Sequence, residues 1–199
     1  FSKNLNYYIN TYSSAQTPTL ITLNNNKGQE MVTLLDNKEL KSKTAQLNMP
    51  TKEFFSFKTS EGVELNGWMM KPANFNPSKK YPVIMHQYSG PGSQQVLDKW
   101  GIGSFGDGGM FEAVMCDKGY IMVCVDGRGT GGRGAAFEKC TYLSIGVKEA
   151  TDQAEAAKYL STLPYVDGSR IGIWGWSYGG YNTLMSMSEG SGAFKAGVA

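Results

Sequence analysis

The sequence predicts an α/β fold with a largely parallel sheet, preceded by a short all-β segment. Three observations carry this. From residue 82 onward, compact apolar runs of strand length alternate with helical patterns. Before about residue 45, short β-prone runs are split by turn residues. The composition also shifts along the chain. Of 25 glycines in 199 residues, only Gly28, Gly62 and Gly67 precede residue 88, whereas 11 of 12 asparagines precede residue 80. All three arginines (Arg128, Arg133, Arg170) lie in the second half. Such a shift marks two structural regimes.

The elements follow in order. Tyr7 to Tyr12 and Thr19 to Leu23 read as strands, separated by Ser13-Ser14 and Pro18. Asn24 to Gly28 is a turn cluster, and Glu30 to Leu35 is a third strand. Short strands of this kind fit a sandwich, a barrel or a propeller blade. About three of them leave edges and faces open, so residues 1 to about 45 are expected to complete a larger β domain. The chain opens on Phe1 with no secretory leader and closes mid-pattern, which points to a piece of a longer protein.

From Glu53 the pattern changes. Phe54 to Lys58 and Val63 to Met70 are predicted strands about a Ser60-Glu61-Gly62 turn. Pro82 to Gln87, Ile121 to Val125 and Ile171 to Trp174 are buried strands, and Ala196 to Ala199 begins another. Ser144 to Leu160 is a helix with Ile145, Ala150, Ala154, Ala157 and Leu160 on one face. Glu149, Asp152, Glu155 and Lys158 fall elsewhere on it, and Pro164 and Asp167-Gly168 mark its stop. Tyr181 to Ser188 is a further helix.

Composition excludes several functions. The 19 basic and 17 acidic residues give a net charge of +2, so no nucleic-acid partner or polybasic membrane surface is expected. One histidine and three cysteines (Cys116, Cys124, Cys140) without CxxC spacing make neither a typical zinc site nor a disulfide framework. Cys124 reads as core strand. No apolar run approaches the ~18–20 residues of a membrane span. No metal or cofactor is called for.

Chemistry concentrates in three glycine-rich loops. Arg170 to Trp174 runs into Gly175-Trp176-Ser177-Tyr178-Gly179-Gly180 and then a helix. The five-letter Gly-x-Ser-x-Gly pattern is weak in so glycine-rich a chain. A buried strand before it and a helix after it make it a nucleophile elbow. Gly175 and Gly179 leave room for the sharp turn, and the helix N-terminus favours a developing oxyanion. Asp126 to Gly134 contains Gly127-x-Gly129-x-x-Gly132, the dinucleotide pattern. A true fingerprint opens directly into a helix, and the next one expected here starts near Ser144. The alternative is a mobile or irregular loop at a strand's carboxyl end, still beside a site. The third loop, His86-Gln87-Tyr88-Ser89-Gly90-Pro91-Gly92-Ser93, follows a strand at the place where an α/β-hydrolase supplies an oxyanion donor. Tyr88 is the candidate, against the plainer role of a half-buried aromatic. His86 is the only imidazole, yet it precedes the serine, whereas the α/β-hydrolase order is Ser, acid, His. It is therefore read as a structural or loop-anchoring histidine, with the base expected outside these residues.

Tyr88 to Gln94, Asp126 to Gly129 and Gly175 to Tyr181 together resemble the prolyl oligopeptidase family of serine peptidases, most closely its dipeptidyl peptidase IV branch. The resemblance extends through Lys79-Lys80-Tyr81-Pro82 and Phe1-Ser2-Lys3, so it covers nearly the whole chain. It implies the N-terminal part of an α/β-hydrolase domain (residues 49–199) preceded by closing strands of a β-propeller and a linker (residues 1–48). Ser177 would be the nucleophile, and the Tyr88 hydroxyl and Tyr178 N–H would form the oxyanion hole. The implied activity is release of N-terminal dipeptides with Pro or Ala in the penultimate position. A prolyl tripeptidyl or acylaminoacyl peptidase is the alternative within the family, and a catalytically silent interaction module the alternative outside it. The partner would be a peptide with a free N-terminus, gripped by acidic propeller residues. The triad Asp and His would lie beyond Ala199, leaving the 199-residue piece inactive alone. The resemblance further implies a homodimer built through other regions, and a periplasmic, cell-surface or secreted location. Gly92 stands where some members carry Cys, so that disulfide is not available.

Overall fold

The computed structural model describes residues 1–47, 49–101, 103, 109–189 and 192–199. Two sheets account for its strands. The first is an antiparallel meander of β1 (Tyr7–Ser14), β2 (Thr17–Asn25) and β3 (Glu30–Leu35). Its second turn is made by side-chain chemistry: Asn25 Oδ1 accepts the N–H groups of Lys27 and Gln29, both at 3.0 Å. Tyr7, Ile9, Tyr12, Met31, Val32, Leu34 and Leu35 are exposed, so the meander presents apolar surface on β1 and β3.

Helix α1 (Lys38–Gln46) follows and buries none of its residues. The predicted boundary at residue 48 falls outside the described residues. The meander touches the rest of the chain at several points: the Ala15 N–H donates to Asp98 Oδ1 at 2.6 Å, Ser13 Oγ accepts the Trp100 N–H at 3.4 Å, and Thr19 O accepts Asn37 Nδ2 at 2.7 Å.

The second sheet has six strands in the order β4-β5-β7-β6-β8-β9. These are β4 (Lys52–Lys58), β5 (Glu64–Met70), β6 (Tyr81–His86), β7 (Ile121–Asp126), β8 (Val166–Trp174) and β9 (Ala196–Val198). The pairs β4–β5 and β5–β7 are antiparallel, and the three remaining pairs are parallel. Strand β7 shows why this half reads as continuous apolar runs. Ile121, Val123 and Val125 join the core on one face, and Met122 and Cys124 a second core on the other. Helix α2 (Met110–Asp117) covers the Met122 face through Cys116. Helix α4 (Val147–Ser161) covers the other with Ala156, Ala157 and Leu160. Between them lies the single turn α3 (Ala135–Glu138), and α5 (Tyr178–Ser188) follows β8.

Two expectations for α4 are corrected. Ile145 precedes the helix and is 53% exposed. Glu149 and Asp152, placed by periodicity away from the apolar face, are both fully buried. Asp152 is met by Arg128 of the loop after β7, and Glu149 by Tyr178 of α5 and by the Gly146 N–H just before α4, as described below.

The sheet order positions the site. Strand β6 lies between β7 and β8, so the chain leaves β6 for one neighbour and then crosses to the other. The carboxyl ends of these three parallel strands therefore open side by side at a topological switch point, where α/β sheets bind ligands. All three glycine-rich loops start there.

Candidate active site

Strand β8 ends at Trp174 and α5 begins at Tyr178, leaving three residues for the reversal. Ser177 pays for the sharpness with φ 59° and ψ −117°, a region sparsely used by residues other than glycine. Gly175 and Gly179 are required by contact. A Cβ on either would stand 2.5 Å from the Gln87 carbonyl oxygen. The elbow can thus lie directly on the chain leading to Tyr88. Ser177 is exposed, and the neighbouring Trp176 is 76% exposed. The Tyr178 N–H is the first of α5, and such groups have no carbonyl partner within their own helix.

Tyr88 is half-buried on the adjacent loop, its ring centroid 6.2 Å from that of Tyr178. Ser89, next to it, also has a positive φ of 60° and is buried. The structure thus brings Tyr88, Ser177 and Tyr178 onto two touching loops, with Gly175 and Gly179 at the contact.

The third loop braces the second. Gly92 N–H donates to Gly129 O at 3.1 Å, and Gly131 N–H to Ser93 O at 2.8 Å. Asp126 accepts the N–H groups of Gln95 and Val96 at 2.9 and 2.8 Å. From Asp126 to Gly131 the segment is buried. Arg128 holds it to α4: its guanidinium meets Asp152 Oδ1 at 2.7 Å, its backbone N–H meets Oδ2 at 2.7 Å, and a further N–H reaches Glu61 at 2.6 Å. The dinucleotide-like spacing of Gly127, Gly129 and Gly132 is therefore an irregular, fastened loop. The helix that follows is the four-residue α3, too short for the helix of a fingerprint.

His86 behaves as expected of a structural residue. It is 5% exposed, its ring lies 4.9 Å from that of Trp174, and its Nδ1 has no hydrogen-bond partner among the described residues. Burial, with a smaller contribution from the Lys52 charge, pushes its pKa down to about 4, so it is neutral at pH 7. Among the described residues, no cluster of His, Cys, Asp and Glu could hold a metal ion.

Glu149 was missed by periodicity. Its Oε1 accepts the Tyr178 hydroxyl at 2.9 Å, and its Oε2 accepts the Gly146 N–H at 3.0 Å. Burial, followed by the bond to Glu149, pushes the Tyr178 phenol pKa up, so this hydroxyl stays a donor. No local pattern signals the contact, because the partners are 29 residues apart.

A six-stranded mixed sheet flanked by helices, with a strained serine between strand and helix, defines an α/β-hydrolase. The prolyl oligopeptidase family model matches residues 110–199. The chain is 35% identical over 198 residues to a probable dipeptidyl peptidase 4 of Aspergillus flavus, and 38% identical over 203 residues to a probable dipeptidyl-aminopeptidase B of Pyrenophora tritici-repentis. All of the chain is covered in both cases, and 25% and 22% of those relatives. It therefore spans about a quarter of the length of the curated relatives it matches. Among solved structures, dipeptidyl peptidase 4 of Porphyromonas gingivalis superposes with a TM-score of 0.93 at 52% identity, covering 100% of this chain and 28% of that one. A dipeptidyl aminopeptidase IV from Bacteroides ovatus gives 0.85 at 38% identity, covering 98% and 27%. The chain belongs to the prolyl oligopeptidase family of serine peptidases. The predicted fold class stands with it: the six-stranded sheet is that of an α/β-hydrolase, and the meander before it has the form of closing propeller strands.

Proposed function

We propose that the protein of which these residues are part is a serine exopeptidase that releases dipeptides from free peptide N-termini, with Pro or Ala in the penultimate position. One observation carries this reading. The strained Ser177 elbow rests on the Tyr88 loop at adjacent strand ends, in a chain whose relatives are described as dipeptidyl peptidases. In this reading residues 1–48 close a β-propeller and residues 49–199 begin the catalytic domain.

Ser177 Oγ attacks the carbonyl carbon of the penultimate residue, and its proton passes to a histidine base held by an aspartate and from there to the leaving amine. His86 is buried, neutral and upstream, so the histidine base comes from elsewhere in the protein, and in this reading the aspartate does too. The tetrahedral oxyanion accepts hydrogen bonds from the Tyr88 hydroxyl and the Tyr178 N–H. The protonated amine leaves, and water then hydrolyses the acyl-serine. The substrate is a peptide, and the enzyme works as a homodimer outside the cytoplasm. No helix among the described residues is long and apolar enough to cross a membrane.

The test uses the full-length enzyme, a Gly-Pro chromogenic reporter, a tripeptide reporter and a fluorescent organophosphonate. Ser177→Ala is expected to abolish both turnover and labelling. Full turnover in that variant would overturn the assignment. Preference for the tripeptide reporter would replace the dipeptidyl reading with a tripeptidyl one.

A further inference from the structure

Gln87 sits between the two loops that carry the proposed chemistry, one residue before Tyr88, and is fully buried. Its main chain directly follows strand β6, with its N–H donating to Trp174 O at 3.1 Å. Its side chain crosses to the far side of the elbow. Nε2 donates to Gly179 O at 2.6 Å and to Thr183 Oγ1 at 3.1 Å. Oε1 accepts from Asn182 Nδ2 at 2.9 Å. The elbow is thus held before and after Ser177 by a single residue, whose own carbonyl fills the space left by Gly175 and Gly179.

A carboxamide is an odd choice for such a place. Helix α5 turns Gly179, Gly180 and Thr183 into the interior, and an unbranched apolar side chain of similar length would fill the gap. A buried amide is tolerated only when its groups are paired, and here both Nε2 hydrogens and one Oε1 lone pair are used. What the amide adds over a hydrocarbon is direction. It ties the peptide preceding Tyr88 to the carbonyl of Gly179, one residue past the Tyr178 N–H.

We propose that Gln87 is a positioning residue that sets the separation between the two oxyanion donors, the Tyr88 hydroxyl and the Tyr178 N–H. The inference rests on the serine-peptidase reading above. Gln87 touches no substrate atom. It acts through Tyr88, so its loss is felt where the oxyanion forms and not where the peptide is held. An error of a few tenths of an ångström at Gln87 is carried directly into the neighbouring phenol, and donors of this kind work only at hydrogen-bond distance.

The experiment compares parent, Gln87→Met, Thr183→Val, Tyr88→Phe and Gln87→Met/Tyr88→Phe in the full-length enzyme. Active sites are counted by organophosphonate titration, and kcat per titrated site and KM are measured with a Gly-Pro reporter. Gln87→Met is expected to lower kcat about tenfold with KM within about twofold. In the Tyr88→Phe background the same change should cost less than about threefold, because the donor it orients is gone. Thr183→Val removes one acceptor while keeping shape, and should lower kcat about threefold. A purely structural role predicts fewer titratable sites with unchanged kcat per site, and a role that does not pass through Tyr88 predicts losses in kcat per site that multiply in the double variant. Either result overturns the proposal. If Gln87→Met fails to fold, an unchanged kcat in Thr183→Val overturns it. Failure of the underlying reading looks different: the phosphonate would then leave Ser177 of the parent enzyme unlabelled.

Discussion

Tyr88 and Ser177 show how far single residues can be read. A serine between glycines, with a strand before and a helix after, is legible because the turn permits little else. The positive φ of Ser177 and the lack of space for a Cβ at Gly175 and Gly179 are the physical content of that pattern. Tyr88 is singled out by its place after a buried strand and by the family resemblance, and the structure puts it on the loop beside the elbow. Gln87 and Glu149 were not legible, because a buried amide or carboxylate is recognised by partners that sequence distance conceals. Gly179, which accepts from Gln87, lies 92 residues away, and Tyr178, which donates to Glu149, lies 29 residues away. The proposed role of Tyr88 rests on one oxygen atom. Tyr88→Phe keeps the ring and its contact with Tyr178 while removing the donor. Steady-state kinetics of the full-length variant should show kcat lower by about 10²–10³-fold, the typical cost of one oxyanion donor, with KM within about twofold. A raised KM at unchanged kcat would instead make Tyr88 a substrate-binding group.

At the level of elements, the strands were read well and three helices, α1, α2 and the single turn α3, were not. Every strand of both sheets has a counterpart in the predicted runs, because alternation and buried apolar runs are local signals. Helix α1 buries none of its residues and carries no apolar stripe to be read. Helix α2 spans only eight residues. Helix α4 was found, but its charges were misjudged. Asp152 is fully buried because Arg128, 24 residues earlier, brings three of its donor groups to it. This pair joins the loop after β7 to α4, and through Gly131 and Gly92 it steadies the Tyr88 loop. Removing Asp152 strips Arg128 of the acceptor for its backbone N–H and two of its guanidinium donors, with Glu61 as its remaining acidic partner. Asp152→Ala should therefore cost ~3–5 kcal/mol, read as a lower urea midpoint of the full-length protein. Asp152→Asn, which keeps an acceptor for the Arg128 N–H, should cost less. A midpoint unmoved by Asp152→Ala would mean that the loop is held by its backbone bonds alone.

The whole molecule depends on three loops meeting over one end of a sheet, and Asp126 is where two of them are joined. The strand order that brings them together could not be read from the sequence, since pairing and register are long-range. Asp126 is 6% exposed, and burial pushes its pKa up to about 6 from an ordinary 3.8, against the opposing pull of the Val96 and Gln95 N–H groups. The sign follows from which state holds the proton longer. The folded protein keeps it up to about pH 6, whereas the unfolded chain releases it near pH 4. Stability contributed by this group is therefore complete below about pH 4 and is lost as the pH rises through about 6. The loss is at most roughly 3 kcal/mol for a shift of about two units. Asp126→Asn removes that titration while one oxygen still accepts both N–H groups. Other carboxylates titrate over the same range, so the informative quantity is the difference between variant and parent unfolding free energies. It should move in favour of the variant by roughly 1–3 kcal/mol between pH 4 and pH 6.5. A difference that stays flat over that interval would show that Asp126 is already charged in the folded protein, and that its two backbone bonds outweigh its burial.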